Sequence, residues 1–185
     1  MPTFGNDTTS QTGTSAENNI KGSKFKITED GVPESITSRN YVSTTDRNWK
    51  CAIYDSDKNL VCLTEELLRD GNTSVQWIEY DISGSAPTLT SGSEYYLCSW
   101  SSYVFAGVSY QMLDVTGGSY YSDEETYGDW PDPSDLSVLP NSYTCTIYCT
   151  YNEAPVGNGD EKSNILSGDG QMSTVGQGNM SFVNI

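Results

Sequence analysis

Polar and apolar residues alternate along most of the chain, which is the pattern of β-strands with one buried and one solvated face. The alternation is clearest in residues 142–151, where Cys145, Ile147 and Cys149 fall on one face. The threonines of that segment and Tyr148 fall on the other face. Further strands are predicted at residues 50–54, 60–63, 75–82, 94–100 and 104–113.

Turn-forming residues separate these strands at short intervals. The polar segment 55–59 lies between two of them and predicts a hairpin. Helical periodicity is confined to residues 64–69, which is too short for a stable helix. Short strands divided by Gly, Ser, Asp and Asn turns are typical of sandwiches. We therefore predict an all-β fold, an antiparallel, jelly-roll-like β-sandwich.

The two ends of the chain differ in composition from the middle. Residues 1–19 contain few apolar side chains, and residues 156–185 are rich in Gly, Asn and Ser. We therefore predict two extended terminal arms on either side of a sandwich at residues 20–155. The C-terminal arm ends in a segment suited to strand addition on a neighbouring subunit, and the alternative is that both arms fold back on their own domain. The predicted assembly residues are Ser181, Phe182, Val183 and Ile185.

The charge and composition exclude several classes of function. The chain of 185 residues has nine Lys and Arg against 25 Asp and Glu, a net charge of −16, and no histidine. Catalysis by a Ser-His-Asp triad and histidine metal sites are thereby excluded. The acidity argues against nucleic acid, because phosphate binding needs clustered Lys and Arg. No apolar run is long enough to span a bilayer, so we expect no membrane partner.

The five cysteines give no sign of a metal or redox site, because no pair has the C-x-x-C spacing. Cys145 and Cys149 lie four residues apart in one predicted strand, about 13 Å at the strand rise, too far for a disulfide. We interpret all five as small buried apolar side chains.

Residues 120–133 are the most distinctive stretch, because they combine aromatic rings with carboxylates. Two binding functions and a structural role as an ordered loop remain open. A sugar would stack on rings beside carboxylates, and the candidate ligand-binding residues are Tyr120, Tyr121, Tyr127 and Trp130. Ca²⁺ would use carboxylate oxygens, and the candidate metal ligands are Asp123, Glu125, Asp129 and Asp132. No other cofactor is expected.

Two further patterns are weaker evidence for a function. Residues 55–59 match the first ligand positions of an EF-hand loop, but Leu60 stands where the sixth position needs glycine. We interpret this segment as a hairpin turn. Two carboxylates could act as the acid and the nucleophile of a glycosidase, but no spacing in the sequence identifies such a pair. We expect no enzyme activity.

A series of short motifs runs through the middle of the chain: GSKF at 22–25, AIYD at 52–55, LV at 60–61, LTSG at 89–92, YYL at 95–97, GGSYY at 117–121, TYGDWPDP at 126–133 and YCTY at 148–151. In order and spacing, the series resembles a β-sandwich module found in virion proteins of tailed phages and archaeal viruses. The same module occurs in some prokaryotic surface proteins.

The resemblance implies a virion structural protein, such as a capsid decoration, a turret, or a tail or fibre subunit. Its partners would be copies of itself and other virion proteins, with a host surface glycan as a further candidate. The first 20 residues have no secretory signal pattern, so we expect synthesis in the host cytoplasm and a place on the outer surface of the virion. One alternative is a carbohydrate-binding module for attachment to a host or polymer surface, and another is a subunit of an extracellular filament.

Overall fold

A computed structural model describes residues 1–9, 12–71, 74–103, 109–114, 118–140 and 142–154, and two short strands at 173–174 and 180–181. The chain divides into two units, Met1–Ala154 and Pro155–Ile185. The described residues contain strands and turns but no helix, and therefore no helix that could cross a membrane.

The strands of the first unit include those predicted near residues 50–54, 60–63, 75–82 and 94–100, together with others in segments where no strand was predicted. They are β1 (Thr3–Gly5), β2 (Thr12–Ser15), β3 (Asn19–Lys26), β4 (Gly31–Val42), β5 (Arg47–Tyr54), β6 (Leu60–Leu63), β7 (Leu67–Arg69), β8 (Gln76–Asp81), β9 (Glu94–Ser101), β10 (Ser109–Asp114), β11 (Tyr120–Glu124), β12 (Ser137–Val138), β13 (Thr144–Cys145) and β14 (Ile147–Glu153).

Two antiparallel sheets pack against each other, so the predicted β-sandwich is confirmed. Sheet A has the order β1-β14-β4-β10-β13, with β8 also paired to β4 and β2 to β10. Sheet B has the order β12-β11-β3-β9-β5-β6, with β7 also paired to β5. The predicted hairpin around residues 55–59 joins β5 and β6.

The core between the sheets is built from the inward positions of the alternating strands. Ile36 and Tyr80 enter it from sheet A, and Trp49, Ile53 and Leu97 from sheet B. Each of these five side chains is 1% exposed or less. Because period two places every second side chain on this face, the same alternation that identifies the strands also fills the core.

All five cysteines lie in the described part of the chain as buried free thiols. The interpretation of these residues as packing side chains is therefore confirmed. Burial raises the pKa of Cys62 to about 12, and burial raises the pKa of Cys145 to about 12 as well. Thiols with such pKa values stay protonated near neutral pH and react slowly.

Several of the polar side chains buried in the sandwich are paired with other groups of the chain. The Gln111 amide oxygen accepts from Ser99 Oγ at 2.6 Å, and its nitrogen donates to the Thr146 carbonyl at 3.3 Å. Near one end, Arg47 donates from Nη2 to Glu17 Oε1 at 3.0 Å and from Nε to the same oxygen at 3.1 Å. The Arg47 side chain is fully buried and that of Glu17 is 8% exposed.

The N-terminal segment belongs to the sandwich instead of forming the predicted arm. β1 pairs with β14, and β2 pairs with β10, so both strands extend sheet A. Phe4 is buried in the core between Tyr95 and Tyr151. The prediction of an arm rested on low apolar content, but a strand on an open sheet needs only a few apolar anchors because the backbone supplies its hydrogen bonds.

The second unit contains one described strand pair, β15 (Ser173–Thr174) with β16 (Met180–Ser181). Ser181 pairs with Ser173 within this unit. Phe182, Val183 and Ile185 lie outside the described residues. Strand addition to a neighbouring subunit stays a prediction.

Candidate functional site

The loop predicted as a binding site covers the outer face of sheet B. Trp130 and Leu136 from this loop join Tyr54, Cys98 and Trp100 in a second apolar cluster on that face. Tyr121 and Tyr127 pack against the same cluster. Tyr121 meets Tyr96 edge to face, with ring centroids 4.8 Å apart. The loop therefore completes a second, smaller core.

Tyr120 occupies a different place from the other three predicted ligand residues. It is a strand residue of β11 that faces the main core and is 2% exposed. Its ring lies 5.4 Å from Lys21 Nζ. Because the ring is inside the sandwich, it presents no surface on which a sugar could stack.

Lys50 holds the loop by contacts with three rings. Its ammonium lies 4.7 Å from the ring centroids of Trp100 and Tyr127 and 5.2 Å from that of Trp130. It also donates a hydrogen bond to the carbonyl of Gly128. Burial lowers the pKa of Lys50, while the nearby carboxylates of Glu66 and Asp129 act in the opposite direction. Tyr127 and Trp130, which were predicted to stack on a sugar, instead contact a lysine of the same chain.

Tyr127 is also held by an acidic partner. Its hydroxyl donates to Glu66 Oε2 at 2.6 Å. Burial raises the pKa of Tyr127, and the bond to Glu66 raises it further, because ionised Tyr127 would face a carboxylate. Beside Glu66 lies a cleft of about 380 Å³ lined by Lys50, Leu60, Leu63, Thr64, Asp129 and Trp130. These contacts favour the structural role for the loop.

The structure does not bring the four predicted metal ligands together. Asp123 is buried, and its Oδ2 accepts from the Asp135 amide at 2.8 Å. Asp132 accepts from the Leu60 amide at 2.8 Å, while Glu125 and Asp129 are exposed. Within the described ranges, no group of three or more acidic or thiol side chains is placed to hold a metal ion. Two of these carboxylates instead fasten the loop to the sheet.

The EF-hand-like segment is a turn, as interpreted from its missing glycine. Asp55 Oδ1 accepts from the amides of Asp57 and Asn59, both at 2.9 Å. Lys58 takes a φ of 69° in this turn. The Asp55 carboxylate is thus used by its own hairpin.

A second cleft lies on the outer face of sheet A, away from the loop. It has a volume of about 360 Å³ and is lined by Thr3, Asp7, Trp77 and Tyr148. The rings of Trp77 and Tyr148 are 5.5 Å apart and tilted by 54°. Both rings are half-buried, whereas Thr3 and Asp7 are exposed. The cleft therefore combines an aromatic surface with a hydroxyl and a carboxylate.

The strands β4, β8 and β14 bring the rings of Trp77 and Tyr148 together. In β4, Thr37 is paired with Tyr148 on one side, and Arg39 is paired with Trp77 on the other. Thr37 and Arg39 are two residues apart, so both rings project from the same face. Gly5 lies opposite Tyr148 with a φ of 128°, and a Cβ there would lie 2.5 Å from the Ile147 carbonyl. This close approach of the two backbones needs glycine. Two residues further along the chain, Asp7 lies at the edge of the cleft.

Sequence reasoning missed this cleft because its residues are far apart in the chain and two belong to the segment predicted as an arm. One signal was present. Trp77 and Tyr148 each share a strand face with a polar neighbour two residues away, Glu79 in one strand and Thr150 in the other. A large aromatic side chain on a face that period two assigns to solvent points to a surface site.

The comparisons with known proteins add no family to this description. No family model matches the chain, and no curated protein matches it. The β-sandwich is shown by the structure, and the resemblance to the virion module remains an expectation from the sequence.

Proposed function

We propose that this protein is a non-catalytic attachment module that binds carbohydrate on the outer face of sheet A. The observation that carries the proposal is the cleft formed by Trp77, Tyr148, Asp7 and Thr3. A sugar ring has an apolar face of C–H groups and an edge of hydroxyls. An aromatic ring can support the first, and a carboxylate or hydroxyl can hydrogen-bond the second.

The charge of the chain narrows the class of sugar. A net charge of −16 repels anionic ligands, and the carboxylate of Asp7 lies in the cleft itself. Neutral sugars avoid this repulsion while keeping the contacts that the cleft offers. We therefore propose neutral saccharides as the ligands.

Binding of neutral oligosaccharides to the full chain tests the proposal by isothermal titration calorimetry. Trp77→Ala should weaken binding at least about tenfold, because tryptophans at binding sites carry much of the affinity. Tyr103→Ala is the matched control, since Tyr103 is an exposed aromatic residue outside the cleft. Circular dichroism and thermal unfolding establish that each variant is folded.

Two results would overturn this function. One is the lack of binding by any neutral oligosaccharide of the gluco, manno, galacto and N-acetylglucosamine series at millimolar concentration. The other is equal binding by folded Trp77→Ala and the unchanged protein. Asp7→Asn keeps the shape of the side chain, so its effect separates the carboxylate from the aromatic surface.

The resemblance to virion modules supports a second proposal, about the assembly in which this attachment function would act. We propose that copies of the chain join a virus particle as a surface subunit. The extended backbone of Ser181 in β16 is compatible with strand addition by the C-terminal segment. Electron microscopy of native particles tests this placement. A symmetric position on a capsid or tail supports it, whereas a homopolymer filament contradicts it.

A further inference from the structure

A second pair of aromatic residues lies on the same face of sheet A as the cleft. Tyr41 in β4 is paired with Tyr110 in β10, and their rings stack with centroids 4.8 Å apart and planes 5° from parallel. Tyr41 is four residues beyond Thr37, so the two side chains project from the same face of β4. The Tyr41–Tyr110 pair and the Trp77–Tyr148 pair therefore share one surface.

The two pairs are arranged in a row. Along β4, the position opposite Tyr148 and the position opposite Tyr110 are four residues apart, about 13 Å at the rise of a strand. Trp77 lies between these positions, opposite Arg39, about 7 Å along β4 from Tyr41. A ligand that touched both Tyr148 and Tyr110 would therefore have to be longer than a single sugar ring.

The rings of both pairs are placed for contact with a ligand as well as with each other. The main core lies on the opposite face of sheet A, where Ile36 and Tyr80 are buried. All four rings retain part of their surface exposed. Polar side chains accompany them, among them exposed Glu79, which accepts from Ser35 Oγ at 2.7 Å.

The mixture of rings and polar groups favours a sugar over a second copy of the chain. The fully buried centre of a protein–protein interface is depleted in charged residues. Asp7 and Glu79 would both carry charge into such a contact, and a second acidic copy would bring like charges against them. A neutral oligosaccharide can instead hydrogen-bond those carboxylates.

We propose that the Trp77–Tyr148 and Tyr41–Tyr110 pairs are two subsites of one face that binds an extended neutral oligosaccharide. This inference rests on the proposed function, because the first subsite is the cleft described above. The second subsite adds chain-length dependence. Affinity should rise once the ligand is long enough to reach Tyr41 and Tyr110, and a monosaccharide held by the first pair should gain nothing from them.

The test is a calorimetric titration of the full chain with neutral saccharides of one to six sugar units. Tyr110→Ala should weaken binding of the longest ligands by about tenfold, the upper range for one aromatic contact, and leave monosaccharide binding unchanged. Tyr110→Phe keeps the ring and should retain the chain-length dependence. Tyr103→Ala again serves as the matched control.

The outcomes separate this inference from the proposed function. If folded Trp77→Ala binds every ligand normally, the proposed function fails and the subsites with it. If Trp77→Ala loses binding while Tyr110→Ala keeps the full chain-length dependence, only the second subsite is overturned. Equal weakening of all lengths by Tyr110→Ala also overturns it. A change of molar mass by light scattering in Tyr110→Ala would show a contact between copies and likewise contradict the inference.

Discussion

Replacing Glu17 with alanine tests whether the N-terminal segment is an integral part of the sandwich. Glu17 is the carboxylate partner of Arg47, which is fully buried in β5. The variant would remove the carboxylate that pairs with this guanidinium inside the protein. Arg47 also donates to the carbonyls of Thr45 and Asp46 at 3.3 Å, but these bonds do not neutralise its charge.

The magnitude follows from the burial of both partners. Removing one member of a buried ion pair costs about 3–5 kcal/mol. For a chain of this size, that loss corresponds to a decrease in melting temperature of about 6–20 °C. The double variant Glu17→Ala/Arg47→Met removes the buried guanidinium as well as its carboxylate partner, so it should be more stable than Glu17→Ala alone.

Urea unfolding at pH 7, followed by circular dichroism, measures these free energies. The pair of Lys24 and Glu94 provides a matched control, because its 3.3 Å contact is at the surface. Glu94→Ala should cost no more than about 1 kcal/mol. If Glu17→Ala is as mild as Glu94→Ala, or if the double variant is the least stable of all, the reasoning is refuted.

Three further predictions concern other parts of the sandwich. Gly22→Ala should destabilise the protein by about 1–3 kcal/mol, since the new Cβ would lie 2.5 Å from Cys98 Sγ. Gly128→Ala is the control, because the atom nearest to its new Cβ would be 3.6 Å away, and this variant should unfold in urea like the unchanged protein. The five buried thiols should react with Ellman's reagent only after denaturation, and rapid reaction of the native protein would contradict their placement. Burial acts to raise the pKa of Asp55, but hydrogen bonds from Asn59 and other turn residues outweigh it and lower that pKa. The stability that this carboxylate contributes is therefore present above the unfolded pKa of about 3.9 and is lost as the pH falls through the lower folded pKa. Between pH 5 and pH 2, Asp55→Asn should consequently lose less stability than the unchanged protein.

The strands could be predicted because their signal is local. The alternation around Ile147 reports one buried and one exposed face without knowledge of the neighbouring strand. The N-terminal strands could not be predicted in this way. β1 is held by backbone pairing to β14 and by the single buried ring of Phe4, so its stability comes from residues about 145 positions away.

The candidate site shows the same limit of prediction from local sequence. Tyr120 and Trp130 are ten residues apart and were expected to act together, but one is in the main core and the other covers the outer face of sheet B. Trp77 and Tyr148 are distant in sequence and meet because both flank β4. Sequence proximity therefore grouped rings that lie in two different cores, and the sheet order was needed to bring Trp77 and Tyr148 together.

The loop that Lys50 fastens to sheet B makes the described sandwich one-sided. Its back is closed by Trp130 and Leu136, while the aromatic rings of its front stay within reach of a ligand. Under the proposed function, only the front would face a surface that carries saccharides, and a layer of copies would be anchored by the back or by the edges. Immobilising the protein through Lys58, in the β5–β6 turn, should then be compatible with binding, whereas cross-linking near Trp77 should block it.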